Sequence, residues 1–316
     1  MSGFKEIGGY FGLEEFSGRE YHQNLIGVNS GRNALLYVLK AKKIEKLYIP
    51  SFLCDTVYKL CERENFSFEF YSIDENFQPV FNKKLSNNEW LYIVNFYGQI
   101  SNKKIKQYKK KYGNIIFDNV QAFFQKPVKN IDTVYSCRKF FGVPDGGYVS
   151  TDTLLDETLE IDYSNERMKH ILGRYEKTGS EFYCDFQKND ESFYQIGLKK
   201  MSRLTKNILQ AIDYNFVKTR RNQNYAYLEK MLGKYNKLKL QVPDGPYCYP
   251  FYCNNGADLK QKLAKKKIYV PTLWPNVLEQ GDELEIDYAT NILPIPCDQR
   301  YTENDMENIV SQITAL

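Results

Sequence analysis

Apolar and polar positions along the first half of the chain fall into blocks of two kinds. Residues 33–43 carry apolar side chains at helical spacing after the turn Asn29-Ser30-Gly31, and residues 46–49 form a short apolar run that Pro50 stops. A helix and then a strand are predicted there. The alternation continues with a helix over 54–65, a strand over 66–73, a strand over 90–96, a lysine-rich helix over 102–112 and a strand over 114–117. This pattern predicts helices covering a mainly parallel sheet, an α/β layer fold.

The second half is less regular. Residues 152–190 are polar, aromatic and weakly periodic, and no element is assigned to them. Residues 198–232 read as a long helical region, broken or bent. Beyond 238 come short strand-like runs, a helix over 258–267 and a last helix from near Glu303, which suits a small C-terminal α+β domain. The expected division is a large domain with its N-terminal segment over 1–197, and a linking helix with a small domain over 198–316.

Composition removes several function classes. Hydrophobic residues make up 42% and charged residues 26% of the 316, and no run approaches the roughly 20 apolar residues that cross a bilayer. No membrane partner is expected. The net charge of +4 comes from 43 basic and 39 acidic residues, with much of the excess in the runs 103–111 and 260–267. Such runs read as solvated helix faces, so no nucleic-acid partner is expected either. Seven cysteines form no CxxC pair and the first 16 residues lack an apolar signal core, which together place the protein in the cytoplasm with reduced thiols. Two histidines, His22 and His170, are too few for a multi-histidine metal centre and leave little room for a serine–histidine hydrolase. Surface or packing roles are expected for both, and no metal ligand is assigned.

In open α/β sheets ligands gather beyond the carboxyl ends of the strands, which here means residues 95–98 and Asp118. The sharpest motif follows. Residues 136–147 read Ser-Cys-Arg-Lys-Phe-Phe-Gly-Val-Pro-Asp-Gly-Gly, and upstream stand Asp118-Asn119-Val120-Gln121-Ala122, Val94-Asn95-Phe96-Tyr97-Gly98-Gln99 and Asn29-Ser30-Gly31-Arg32-Asn33-Ala34-Leu35. Taken singly, a lysine beside two phenylalanines is a snorkelling surface lysine, Asp118 a helix cap and Gly31 a turn residue. The four segments in this order reverse that balance. They resemble the Ser-x-x-Lys, Asp-x-x-Gln, Val-His-x-Tyr-Gly-Gln and Ser-Gly-Thr-x-Ala-Leu segments of the DegT/DnrJ/EryC1/StrS sugar aminotransferases, which are fold-type I enzymes using pyridoxal 5'-phosphate (PLP).

The resemblance implies a PLP-dependent aminotransferase with its cofactor in the large domain. Lys139 would supply the amine that carries the cofactor, and Asp118 the anion beside its ring nitrogen. Gln121 would lie near the phenolic oxygen. Ser136 and the turn at Gly31, Arg32 and Asn33 would hold the phosphate through a hydroxyl, backbone N–H groups and the helix end. Cys54 is nearest the position that covers the ring, with Phe52 the alternative. Arg138 and desolvation are expected to lower the Lys139 pKa. An amino acid, glutamate foremost, would be the donor, a nucleotide-linked keto sugar the acceptor, and a homodimer the active unit. The rivals are elimination or decarboxylation on the same residues, and a non-catalytic binding protein of this fold.

The chain also departs from the pattern. Arg32 stands where the family has threonine, and the family's serine lies five residues before the lysine where Ser136 lies three before it. The Asn-x-Arg segment that reaches the neighbouring subunit has only Met201-Ser202-Arg203 as a counterpart. Trp274-Pro275 and Asp298-Gln299-Arg300-Tyr301 could face a substrate or pack as a domain surface.

Overall fold

The structure, a computed structural model, describes residues 7–315. Its elements in chain order are β1 (Ile26–Val28), α1 (Gly31–Ala41), β2 (Lys46–Pro50), α2 (Asp55–Arg63), β3 (Ser67–Ile73), β4 (Pro79–Val80), β5 (Glu89–Val94), α3 (Asn102–Tyr112), β6 (Ile115–Asp118), β7 (Asp132–Ser136) and β8 (Gly147–Ser150). There follow α4 (Lys169–Glu176), α5 (Tyr183–Ile196), α6 (Arg203–Gln210), α7 (Tyr214–Leu232), β9 (Tyr249–Tyr252), α8 (Gly256–Lys265), α9 (Val277–Gln280), α10 (Glu283–Asn291), β10 (Ile292–Ile295) and α11 (Glu303–Thr314).

The first eight strands make one sheet in the order β1-β8-β7-β6-β5-β2-β3-β4. Its centre, from β7 to β3, is parallel; β8 runs antiparallel to both β7 and the edge strand β1, and β4 at the other edge runs antiparallel to β3. The central strands are near-continuous apolar runs buried along their length, as a parallel sheet covered on both faces requires. A second, two-stranded sheet pairs β9 with β10. The side chains of α7, β9, α8, β10 and α11 pack there into a core of their own, whereas Trp274, Val277, Tyr288 and Ala289 join the core of the large sheet.

Local chemistry sets the element ends. Ser30, in extended backbone, accepts the Asn33 N–H at 3.1 Å and so starts α1 at Gly31. Cys54 is the N-cap of α2 rather than part of the helix. Pro50 completes β2, and the strand expected through Phe96 ends at Val94, before a single turn over Phe96–Gly98 with Tyr97 in the left-handed region. The unassigned stretch holds α4 and α5. Neither has an apolar stripe: α4 buries no side chain and α5 only Asn189 and Phe193. The long helical region divides at Ala211–Asp213 into α6 and α7, with Asp213 capping the second.

Candidate active site

β5, β6 and β7 end side by side, and with the first turns of α1 and α2 they floor a cleft of about 810 Å³ whose far wall comes from 247–248, 267–274 and 294–309. Seven of the eight residues expected at the site line it: Gly31, Arg32, Cys54, Asp118, Gln121, Ser136 and Lys139. Asn33 is the exception. Its backbone N–H is taken by Ser30, and its side chain turns inward to donate to Asn29 Oδ1 at 2.7 Å and to the Gly197 carbonyl at 2.6 Å. One helical turn separates Asn29 from Asn33, so the pair braces the entry to α1 instead of reaching the cleft.

Lys139 owes its position to its neighbours. Phe140 and Phe141 drive into an aromatic core with Phe123 and Phe124, so the turn after β7 leaves the lysine outside, accessible from the cleft. The buried guanidinium of Arg221 fixes that turn. It donates to the Phe140 carbonyl at 3.3 Å and the Pro246 carbonyl at 2.7 Å, and from Nε to Gln299 at 2.8 Å. Thus α7 joins the lysine turn to the segment carrying Tyr247, whose ring centroid lies 5.5 Å from Lys139 Nζ. Gly147 makes a second tie. A Cβ there would lie 2.6 Å from the Ser30 carbonyl oxygen and 2.8 Å from that of Tyr135, so only glycine lets β8 pass both.

Asp118 is 3% exposed, and both of its oxygens are held. The Tyr92 hydroxyl donates to Oδ2 at 2.5 Å and the Val120 N–H to Oδ1 at 2.7 Å. Burial nevertheless pushes the carboxyl up to about 6, against the pull of those two donors and of the Lys139 charge. The Lys139 ammonium moves the other way from the sequence expectation. Burial draws it down, but Tyr247, Cys54, Asp118 and Asp190 together outweigh this and hold it above its ordinary value. Arg138 cannot supply the expected push, because its charge is taken up by Asp190 at 3.0 Å.

Gln121 accepts the Tyr97 N–H at 2.7 Å through Oε1, which settles the amide orientation. Phe52 is fully buried among Phe77, Phe96, Trp274 and Tyr288, so of the two ring-cover alternatives only Cys54 reaches the cleft. Ser202, in the Met201-Ser202-Arg203 segment, is buried, caps α6 by accepting the Thr205 N–H at 3.1 Å, and donates to Asp145 through both its N–H and its hydroxyl. Trp274, Asp298, Arg300 and Tyr301 do line the cleft. Sequence reasoning missed Tyr92, Tyr247, Arg174 and Asp190. Only Tyr92 left a signal, since it shares a strand face with the cleft-lining Val94 two positions on.

His22 is 3% exposed, donates from Nε2 to the Phe123 carbonyl at 2.7 Å, and packs against Tyr135. His170 stands on α4 beside Phe186. Among the described residues no cluster of side chains suits a metal ion, and no helix is long and apolar enough to cross a membrane.

No family model matches the chain, and no curated protein sequence does. Solved structures do. DesV of S. venezuelae, in complex with a ketimine intermediate, matches 92% of this chain and 84% of its own at 15% identity, with a TM-score of 0.62. NtdA of Bacillus subtilis with bound cofactor PMP matches 92% of this chain and 73% of its own at 15% identity and 0.63. A DegT DnrJ EryC1 StrS aminotransferase from Brucella abortus matches 92% and 85% at 15% identity and 0.60. This chain has their fold. It is the α/β fold of the fold-type I PLP-dependent transferases, with a large, mainly parallel sheet and a small second sheet near the C-terminus. At this identity the likeness extends to the fold, and the function rests on the cleft.

Proposed function

We propose that the protein is a PLP-dependent aminotransferase that moves an amino group from an amino acid to a keto sugar. The observation that carries this reading is the pairing of Lys139 with Asp118 on one cleft, the lysine accessible and the carboxylate buried and pinned by Tyr92 and Val120. The residues fit the cofactor. Arg32 Nη1 is buried without a hydrogen-bond partner among the described residues, a Cβ on Gly31 would come within 3.1 Å of Ser136 Cβ, and the Ser136 hydroxyl faces the same corner, so a phosphate has a donor, a close approach and a helix N-terminus.

When bound, PLP supplies an electron-accepting ring that stabilises negative charge on the carbon bearing the donor's amino group. Asp118 would hold the proton of the ring nitrogen through its anionic form. Lys139 Nζ would anchor the cofactor and, once displaced by the donor, take the proton from the donor's α-carbon. Because its neighbours favour the ammonium, Lys139 must lose a proton before it can do either, and a cation brought to Asp118 loosens that hold. Tyr247 and Arg221 position it.

The keto-sugar acceptor, nucleotide-linked, and glutamate as donor follow from the segments shared with the sugar aminotransferases; the neighbours described as aminotransferases of the DegT DnrJ EryC1 StrS kind support the same class. A homodimer, a cofactor domain over 1–197 with a smaller unit over 198–316, and a cytoplasmic place complete the reading; the seven unpaired cysteines suit a reducing compartment. The test is borohydride reduction of the purified, yellow protein followed by peptide mass analysis. The adduct should fall on Lys139 and vanish in Lys139→Ala, and the colour should bleach with an amino donor. An adduct on another lysine, or colour that no donor changes, refutes the assignment. Light scattering and a mass-read screen of nucleotide keto sugars address the dimer and the acceptor.

A further inference from the structure

Three guanidinium groups gather on one face of α5 at the edge of the cleft. Arg32 stacks on Tyr194 at 4.4 Å, while Arg138 and Arg167 lie over the Phe193 ring at 4.7 and 5.0 Å. Among the described residues only two carboxylates answer them. Asp190 pairs with Arg138 at 3.0 Å and with Arg32 at 3.5 Å, and Asp162 pairs with Arg167 at 2.7 Å. Burial, and then the charges of Arg32 and Arg167, draw Arg138 below its ordinary value against the hold of Asp190.

The share of Asp190 that reaches Arg32 is the weaker one. At 3.5 Å it is a loose ion pair, and Asp190 is itself 43% exposed, so water screens it. The Arg32 side chain is only 8% exposed, and its Nη1 has no hydrogen-bond partner among the described residues. A buried guanidinium with an empty donor is costly unless an anion completes it. Arg32 lines the cleft beside Gly31 and Ser136, so the anion that completes it comes from the cleft.

We propose that the Arg32 side chain is the charged half of a phosphomonoester site and that Asp190 is an internal competitor for it, released when the phosphate binds. This rests on the cofactor reading above and goes beyond it: the backbone turn and Ser136 give the site its shape, whereas Arg32 gives it preference for a doubly charged group. Loss of Asp190 from Arg32 also couples α5 to occupancy, because Asp190 and Tyr194 are the residues through which α5 holds that arginine. Arg138 keeps Asp190 in the bound state.

The experiment uses cofactor-free full chain and measures binding of PLP, of pyridoxal (the same ring without phosphate) and of inorganic phosphate, by equilibrium dialysis. Arg32→Gln should weaken PLP about 10- to 100-fold, the range for losing a charge-assisted hydrogen bond, and leave pyridoxal within about twofold. Asp190→Asn, at a half-exposed position that tolerates the change, should tighten both PLP and inorganic phosphate several-fold. Arg32→Lys should fall between, since an ammonium keeps the charge but not the fork. Equal losses for PLP and pyridoxal in Arg32→Gln would make Arg32 a brace of the fold and overturn the proposal. So would unchanged or weaker phosphate binding in Asp190→Asn, which holds even if Arg32→Gln does not fold. A wild-type chain that binds inorganic phosphate through Arg32 but neither PLP nor pyridoxal would keep the anion site and refute the cofactor reading instead.

Discussion

Replacing Asp118 by asparagine should stabilise the cofactor-free protein at pH 8 and destabilise it at about pH 3. The folded carboxyl is raised from 3.8 to about 6 by burial, so between those values the folded chain holds a proton that the unfolded chain has released. Stability therefore falls as pH rises through that window. Two pKa units correspond to about 3 kcal/mol of cost, fully present above about pH 7, down to about 1 kcal/mol at pH 4.5 and absent below about pH 3. Asparagine carries no charge and removes this cost. It keeps an acceptor for the Val120 N–H and can donate to the Tyr92 oxygen, but the Tyr92 hydroxyl proton loses its partner, a loss of about 1 kcal/mol. The net gain is about 2 kcal/mol at pH 8 and about zero near pH 4.5, and by about pH 3 only the loss of about 1 kcal/mol remains.

Thermal unfolding of both proteins, stripped of cofactor, across about pH 3–8 measures this directly. A chain of this size shifts by about 2 °C per kcal/mol, so the two melting curves should cross at about pH 4.5, where the cost falls to about 1 kcal/mol. The same variant should lose about 10²–10³ in the first half-reaction with an amino donor while retaining much of its cofactor, because the ring nitrogen loses its anionic partner. An Asp118→Asn protein that is less stable by the same amount at every pH would show that the carboxylate is an ordinary hydrogen-bonded cap. An unchanged half-reaction rate would show that it does not face the ring.

Three further outcomes are expected. Gly147→Ala should cost at least about 1–3 kcal/mol in chemical denaturation, because its Cβ would meet the Ser30 and Tyr135 carbonyl oxygens at 2.6 and 2.8 Å and neither backbone can retreat; a neutral result would refute the close passage. His22 is held down to about 4 by burial, so its contribution is present above pH 6.5 and lost as pH falls toward 4; His22→Gln should be less stable than wild type at pH 7, with the gap narrowing by up to about 3 kcal/mol by pH 4. Tyr92→Phe removes a donor that lowers the Asp118 pKa, so the acid limb of cofactor binding, followed by absorbance, should move toward neutral pH; a limb that stays in place would mean that another group sets it.

The parts of the site legible in the sequence are those that depend on local order. Asp118 and Gln121 follow a strand end, Ser136 ends the next strand, and Gly31 opens a helix, so chain order alone put them near one another. The helices α4 and α5 were illegible because they bury almost nothing, and Asp190 and Tyr194 were lost with them. Tyr247 comes from beyond α7 and reaches Lys139 only through the Arg221 network. The direction of the Lys139 shift was misjudged for the same reason. Arg138 is adjacent in sequence but neutralised by Asp190, whereas the groups that act on the lysine are distant in sequence.

The charges in the cleft also fix which way a ligand lies. Arg32 with its empty donor stands at the α1 end beside Ser136, and Asp118 stands at the strand ends under Tyr92. A ligand that satisfies both must be an anion at one end and a protonated base at the other. Turned around, it would set anion against carboxylate and cation against guanidinium, with desolvated like charges facing each other. Lys139 requires something different again: an electrophilic carbon within reach of its amine, since its own charge is already favoured by Tyr247, Cys54, Asp118 and Asp190. A phosphorylated pyridine aldehyde meets the three demands in one orientation. Either electrostatic anchor can therefore be removed singly without losing the orientation, and removal of both Arg32 and Asp118 should scatter it. The double variant Arg32→Gln/Asp118→Asn should then lose borohydride-fixed adduct on Lys139 by more than the product of the two single losses. A product that matches the singles would mean that each anchor acts alone and that the walls of the cleft, rather than its charges, align the ligand.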